Sequence, residues 1–376
     1  MLELADIVRA AGPRYREVHA GQMLPSHHRT MQDIVACRTP ALGGSLYRCD
    51  ACRALDYRYH SCRNRHCPKC QEERAQDWLD RTRARLLPCD HYLLTFTLPA
   101  QLRAIARSNQ EVVYAALLRE AAASVQTLAN DRQWVGGTPG ILAVLHTWSR
   151  TLEYHPHAHL LVTAGGLSSD GAAWVTPAHP RFLMPGYMLS AIFRAKMRNA
   201  VAKAGLDRDI DPTVWTRNWT VHVQQIGRGE HATRYLSRYV YRVALSNHSL
   251  ERFEHDRVTF RYTHGRTHET RRQTLPVDVF LARFLQHVLP RGFTKIRSYG
   301  LLSPSSRPDL ERARHLLLLH AGQSAPTSAV TAAARLDQST SSTEDSVPTP
   351  LRPRCPVCQR GHLHLVERFR RSRAPP

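Results

Sequence analysis

Two stretches of the chain alternate or mass their apolar residues in strand-like fashion, with turn residues between. Ile141–Trp148 and Tyr154–Thr163 are both rich in Leu, Val and Ile and are separated by a short polar segment. That pattern predicts two strands joined as a hairpin. His91-Tyr-Leu-Leu-Thr-Phe-Thr-Leu98 stops at Pro99 and predicts a buried strand. Strands are also expected over 215–225 and 257–262. Helical periodicity marks 1–36, 71–87, 101–130, 186–203, 230–245, 277–288 and 309–320. Residues 37–75 form a cysteine-rich module. From about 321 to 350 the chain is Ser, Thr, Ala and Pro with few large apolar residues, the composition of a disordered linker. Strand, helix, hairpin, helix, strand, helix implies an α+β fold, an antiparallel sheet covered by helices with a ferredoxin-like core.

Composition narrows the class. The chain has 376 residues, enough for two or three domains, and 42% of them are apolar. Its net charge is +21, and its only lysines are Lys69, Lys196, Lys203 and Lys295, so arginine carries nearly all of the positive charge. Arginine favours bidentate phosphate contacts, and a polyanionic partner is the first expectation. No apolar stretch approaches the roughly 20 residues that span a bilayer, so no membrane partner is expected. The start, Met1-Leu-Glu-Leu-Ala-Asp6, is acidic and lacks the apolar core of a secretory signal. A cytoplasmic location, with its thiols reduced, is the expectation.

Candidate chemistry lies in three places. In a strand, alternate side chains share a face, so His155, His157 and His159 point the same way. Two imidazoles on one face can hold a divalent ion; the plainer alternative is a polar strand face in a chain with 22 histidines. On a helix, Tyr235 and Tyr239 share a face at i, i+4 while Tyr241 does not. Such a pair usually packs into a core, but Arg234, Arg238 and Arg242 form a second row on the same segment, and that much charge favours phosphate contact. A phenol with a pKa near 10 is a poor nucleophile at neutral pH, and a metal ion that polarises a phosphate ester would compensate. There is no Gly-x4-Gly-Lys-Ser/Thr phosphate loop, so chemistry without nucleotide hydrolysis is expected.

The third place is the cysteine module. Cys49-Asp-Ala-Cys52 and Cys67-Pro-Lys-Cys70 are two Cys-x2-Cys knuckles with 14 residues between them, the spacing of a four-thiolate structural zinc site. Cys37, His60, Cys62 and His66 are alternative ligands or members of a second site. Arg63 and Arg65 make the intervening loop basic and suited to a phosphate backbone, or to plain solvation. A third knuckle, Cys355-Pro-Val-Cys358, supplies half a site that His362 and His364 would complete, unless it is a simple exposed turn.

Taken together, several segments resemble the rolling-circle transposases of the insertion-sequence ninety-one type, members of the HUH endonucleases. The segments are Cys37-Arg-Thr, Gly43-Gly, Ser61-Cys-Arg-Asn-Arg-His-Cys-Pro-Lys-Cys70, Phe96-Thr-Leu-Pro99, Leu145-His-Thr-Trp148, His155-Pro-His-Ala-His159, Gly165-Gly, Tyr235-Leu-Ser-Arg-Tyr239 with Arg242-Val-Ala and Ser246-Asn247, and Leu289-Pro-Arg-Gly-Phe293 with Ile296-Arg-Ser-Tyr-Gly-Leu301. They run over about residues 30–302, in order. The resemblance implies His157 and His159 as the metal-binding pair, Tyr235 and Tyr239 as nucleophiles, and an N-terminal zinc domain. The third metal ligand is not fixed by it: His146 is the choice, since a 141–163 hairpin would bring it beside His157, with His155 and Gln224 as alternatives. The spacer, Ala158, is smaller than the bulky residue the family pattern favours.

The expected organisation is a helical and zinc-binding region over 1–88, a catalytic domain over 89–302, a short helix and linker over 303–350, and a basic tail over 351–376. The expected function is a transposase that nicks and transfers single-stranded DNA through 5′-phosphotyrosine links, with structural Zn²⁺ and catalytic Mg²⁺ or Mn²⁺. A host helicase is an expected partner, because the chain has no ATPase loop to part strands. A replication initiator or relaxase would use the same chemistry, although in typical relaxases the tyrosine precedes the histidines. A non-catalytic zinc-finger regulator would leave the paired tyrosines unexplained.

Overall fold

In the computed structural model, residues 1–179, 181–228, 244–265, 267–323 and 353–371 are described. The chain divides into two units, Met1–Val35 with Asn64–Leu319, and Ala36–Arg63 with His320–Pro376. This is not the linear division expected from composition. The opening helices α1 (Leu4–Val18) and α2 (Pro25–Ala36) go almost entirely with the larger unit, and the C-terminal tail goes with the cysteine-rich segment.

The larger unit is built on an antiparallel five-stranded sheet. Its strands are β3 (His91–Thr97), β4 (Gly140–Trp148), β5 (Tyr154–Thr163), β8 (Val221–Gly227) and β12 (Ile296–Gly300), in the order β12-β4-β5-β3-β8. The hairpin β4–β5 and the strand β3 have nearly the predicted bounds, because continuous Leu/Val/Ile runs are what a buried central strand requires. The sheet is apolar on one face. Phe96, Ala158, Leu160, Val162, Ile141, Ala143 and Leu145 there join a core with α5 (Gln110–Ala129) and α6 (Gly186–Lys203). The predicted 101–130 helix is interrupted at Asn109, whose non-helical backbone (φ −124°, ψ 50°) separates α4 (Arg103–Ser108) from α5.

The opposite face is apolar at one end only. Leu142, Val144 and Leu161 pack there with Leu86, Leu87, Leu310 and Ala313, the last two from the helix Arg307–Gln323. Farther along β4 and β5 the same face turns polar, with histidines. The larger unit also holds a three-stranded sheet in the order β11-β10-β9, from β9 (Leu250–Glu254), β10 (Arg257–Thr263) and β11 (Thr270–Pro276), followed by the helix Val277–Leu285. Only β10 was expected from the sequence. β9 and β11 are short and largely exposed and carry little apolar signal.

In the smaller unit, β1 (Gly44–Cys49) pairs with both β2 (Leu55–Tyr59) and β13 (Leu363–Phe369), all antiparallel, in the order β13-β1-β2. The helix expected at 230–245 and the linker expected at 321–350 lie almost wholly outside the described residues.

Candidate functional site

His157 and His159 alternate along β5, and His146 stands directly opposite His157 on β4. Cross-strand pairs share a face, so the hairpin register alone puts three imidazoles together. Their ligand nitrogens all lie within 4.8 Å of one another. The ring centroids are 4.7 Å apart for His157 and His159, 4.8 Å for His146 and His159, and 5.4 Å for His146 and His157. His146 and His159 are buried and His157 is half-buried.

Neighbouring groups orient the rings. His157 Nδ1 donates its proton to the carbonyl oxygen of its own strand neighbour His155, at 2.7 Å. In that tautomer Nε2 carries the lone pair a cation takes. Thr95 of β3, opposite His159 in the sheet, sets its hydroxyl 3.0 Å from His159 Nδ1. The Trp148 ring stacks on His146 with centroids 4.5 Å apart. Such outer partners hold ring orientation and raise ligand basicity. Neither Thr95 nor Trp148 was singled out by sequence. Thr95 could have been found by pairing the predicted 91–98 strand against the hairpin, since the bond depends on register.

The candidate third ligands take different places. His146 joins the cluster. His155 does not; its Nδ1 accepts from Arg103, with Nη2 at 2.8 Å. Burial, and secondarily the Arg103 charge, lower its pKa and keep it neutral. Gln224 lies on β8 opposite Leu93, one strand beyond β3, and is exposed. The catalytic candidates Tyr235 and Tyr239, with Arg234, Arg238 and Arg242, lie outside the described residues.

The cysteines group differently from their spacing. Instead of one set from Cys49, Cys52, Cys67 and Cys70, two sets of four thiols form: Cys37, Cys62, Cys67 and Cys70, and Cys49, Cys52, Cys355 and Cys358. The physical reason for the division is the sheet. β1 and β2 form a hairpin around Cys49 and Cys52, and β13 brings the distant C-terminal knuckle to its edge. Cys37 and Cys62, considered as alternates, are therefore members. His66 is not: its buried Nε2 accepts the backbone N–H of Leu289 at 3.2 Å, and burial holds its pKa well below the ordinary value. Nor are His362 and His364 ligands of the last knuckle. His362 donates its backbone N–H to Asp50 at 2.8 Å, and the His364 ring pairs with the same carboxylate at 3.2 Å. Those bonds hold the Asp50 carboxyl below its usual range. Arg65, expected at a DNA backbone, donates one hydrogen bond to the Phe293 carbonyl. Arg63 is exposed.

Comparison with known proteins gives the family. A family model described as a putative transposase matches residues 140–309, and one described as a transposase zinc-binding domain matches residues 7–98. The chain is 36% identical to "Putative transposase y4qJ" of Sinorhizobium fredii (strain NBRC 101917 / NGR234), over all of this chain and 97% of that one. The chain belongs to the transposases of the insertion-sequence ninety-one type. A second relative, "Transposase for insertion sequence element IS801" of Pseudomonas savastanoi pv. phaseolicola, is 29% identical over 73% of this transposase and 70% of its own length. The histidine hairpin lies within the first matched region. Cys37, Cys49, Cys52, Cys62, Cys67 and Cys70 lie within the second, and Cys355 and Cys358 lie beyond both. As a transposase, the chain is an enzyme that cuts DNA, and the four-thiolate sets suit structural zinc. No helix among the described residues is long and apolar enough to cross a membrane.

Proposed function

We propose that this transposase nicks and rejoins single-stranded DNA through covalent tyrosine links, as in rolling-circle transposition. The observation that carries the reading is the convergence of the ligand nitrogens of His146, His157 and His159 within 4.8 Å on one face of the hairpin. Three imidazoles suit a first-row divalent cation. Mg²⁺ prefers oxygen ligands, so Mn²⁺ would fit this donor set better. Held there, a divalent cation supplies charge stabilisation on the scissile phosphate.

In this reading the phenol oxygen of Tyr235 or Tyr239 attacks phosphorus. The bond from phosphorus to the 3′ oxygen breaks, leaving a 5′-phosphotyrosine and a 3′-hydroxyl. Because the ester energy is retained, a 3′-hydroxyl can attack the phosphotyrosine and rejoin strands. Two tyrosines allow two successive cleavages. Arg234, Arg238 and Arg242, on the same segment, suit the neighbouring phosphates. Strand separation by a host helicase and a cytoplasmic location fit this chemistry.

The test is incubation of the purified transposase with labelled single-stranded element ends and Mn²⁺. A covalent adduct is expected from the wild type and none from the Tyr235→Phe/Tyr239→Phe double variant. An adduct from the double variant, or a Tyr241→Phe variant that alone loses cleavage, would overturn the assignment.

A further inference from the structure

We propose that the C-terminal knuckle is the missing half of a zinc ribbon, and that Zn²⁺ held by Cys49, Cys52, Cys355 and Cys358 fastens the tail strand β13 to the N-terminal sheet. Half of this site lies outside the matched zinc-binding region, which ends at residue 98. The inference is independent of the nicking chemistry.

Distances support the site first. Cys49 Sγ is 3.7 Å from Cys358 Sγ, and Cys52 Sγ is 3.8 Å from Cys355 Sγ. Four sulfurs each about 2.3 Å from a central zinc sit on a tetrahedron with edges of roughly 3.8 Å. A disulfide would need sulfurs about 2 Å apart. Thiols alone have no reason to hold tetrahedral spacing.

The backbone repeats around each pair. The residue after each knuckle, Arg53 and Gln359, takes a left-handed conformation, at φ 59° and 56°. These are costly positions for non-glycine residues, and their equivalence gives the two knuckles the same turn. In each, a backbone N–H donates to sulfur: Cys52 to Cys49 Sγ at 3.5 Å, and Gly361 to Cys358 Sγ at 3.4 Å. These bonds stabilise thiolates, the form that binds metal. At Gly361 a side chain would not fit, because an added Cβ would stand 2.6 Å from Cys49 Sγ and 2.5 Å from Asp50 Oδ1. Asp50, inside the first knuckle, in turn receives His362 and His364 of the tail.

Among the described residues, little apolar packing surrounds the two knuckles. The buried cluster there is Cys49, Cys355 and Leu363, with Tyr47 and Cys358 against it. Of β13, only Leu363 is buried, and Leu365 and Val366 are exposed. Small modules with so little core commonly need a metal to fold.

The experiment uses the full-length wild-type protein. Zinc is withdrawn with increasing chelator while iodoacetamide labelling of each cysteine and amide exchange are read by mass spectrometry. Cys49, Cys52, Cys355 and Cys358 are expected to become reactive at one common chelator concentration, with exchange rising in 44–49 and 363–369 together. In parallel, the Cys49→Ser/Cys52→Ser variant, the Cys355→Ser/Cys358→Ser variant and the variant carrying all four substitutions should each hold one zinc fewer than wild type. A tail-knuckle variant with wild-type zinc content would overturn the proposal. So would labelling of Cys355 and Cys358 while Cys49 and Cys52 stay protected, a result that stands even if the serine variants fail to fold.

Discussion

At the scale of the residue, the histidine cluster owes its geometry to small neighbours. Replacing Thr95 by Val keeps the shape but removes the hydroxyl beside His159 Nδ1. The expected result is metal affinity about 10–100-fold weaker, read as a rightward shift in Mn²⁺ titrations of nicking. His157→Ala and His159→Ala should abolish metal-dependent cleavage while leaving DNA binding nearly intact. His155→Ala should still cleave, because that ring is held by Arg103 outside the cluster. Buried histidines also set the response to acid. His287, enclosed and hydrogen-bonded to Thr147 and the Leu152 carbonyl, is lowered to about 3 by burial, and His27 and His91 to about 4. Unfolded, these rings titrate near 6.5. Below that pH the unfolded chain binds more protons than the folded one, so stability falls as pH drops from about 6.5 toward 4. His287→Phe should flatten that slope by roughly one proton, measured as unfolding free energy against pH.

At the scale of the element, the hairpin that bears the site was legible in the sequence, and the elements with distant partners were not. β4, β5 and β3 carry dense Leu, Val and Ile because both of their faces are largely covered, and α6 has its predicted bounds. From that hairpin alone His146 followed as the residue facing His157. The strands β1, β2 and β13 are short and half-exposed, and their pairing joins residues more than 300 positions apart. No local pattern encodes such a pairing, and so the spacing of Cys52 points to the nearest knuckle while the fold sets it beside Cys355. The small spacer Ala158 also acquires a reason. It is fully buried on the face opposite the histidines, between Phe96 and Leu145 in neighbouring strands. Ala158→Leu should overpack that row and cost about 1–3 kcal/mol, seen as a lower Tm, and should loosen metal binding on the other face.

At the scale of the whole molecule, charge governs encounter with DNA. With a net charge of +21 carried almost wholly by arginine, affinity for single strands should fall linearly on a log–log plot against salt. Each phosphate neutralised adds about −0.7 to the slope, and fluorescence anisotropy at several salt concentrations reads it. His157→Ala should keep the wild-type slope. The zinc ribbon has a consequence in time. Cys52 and Cys355 are 303 positions apart. At roughly 5–20 residues per second of synthesis, a nascent chain carries its first knuckle for something like 15–60 s before the second emerges. During that interval the N-terminal half-site has two thiols and no partner strand. A ribosome that stops early, or an element copy with a frameshift anywhere upstream, releases a chain that cannot close the ribbon. Synthesis through Cys358 thereby becomes a condition for folding the N-terminal sheet.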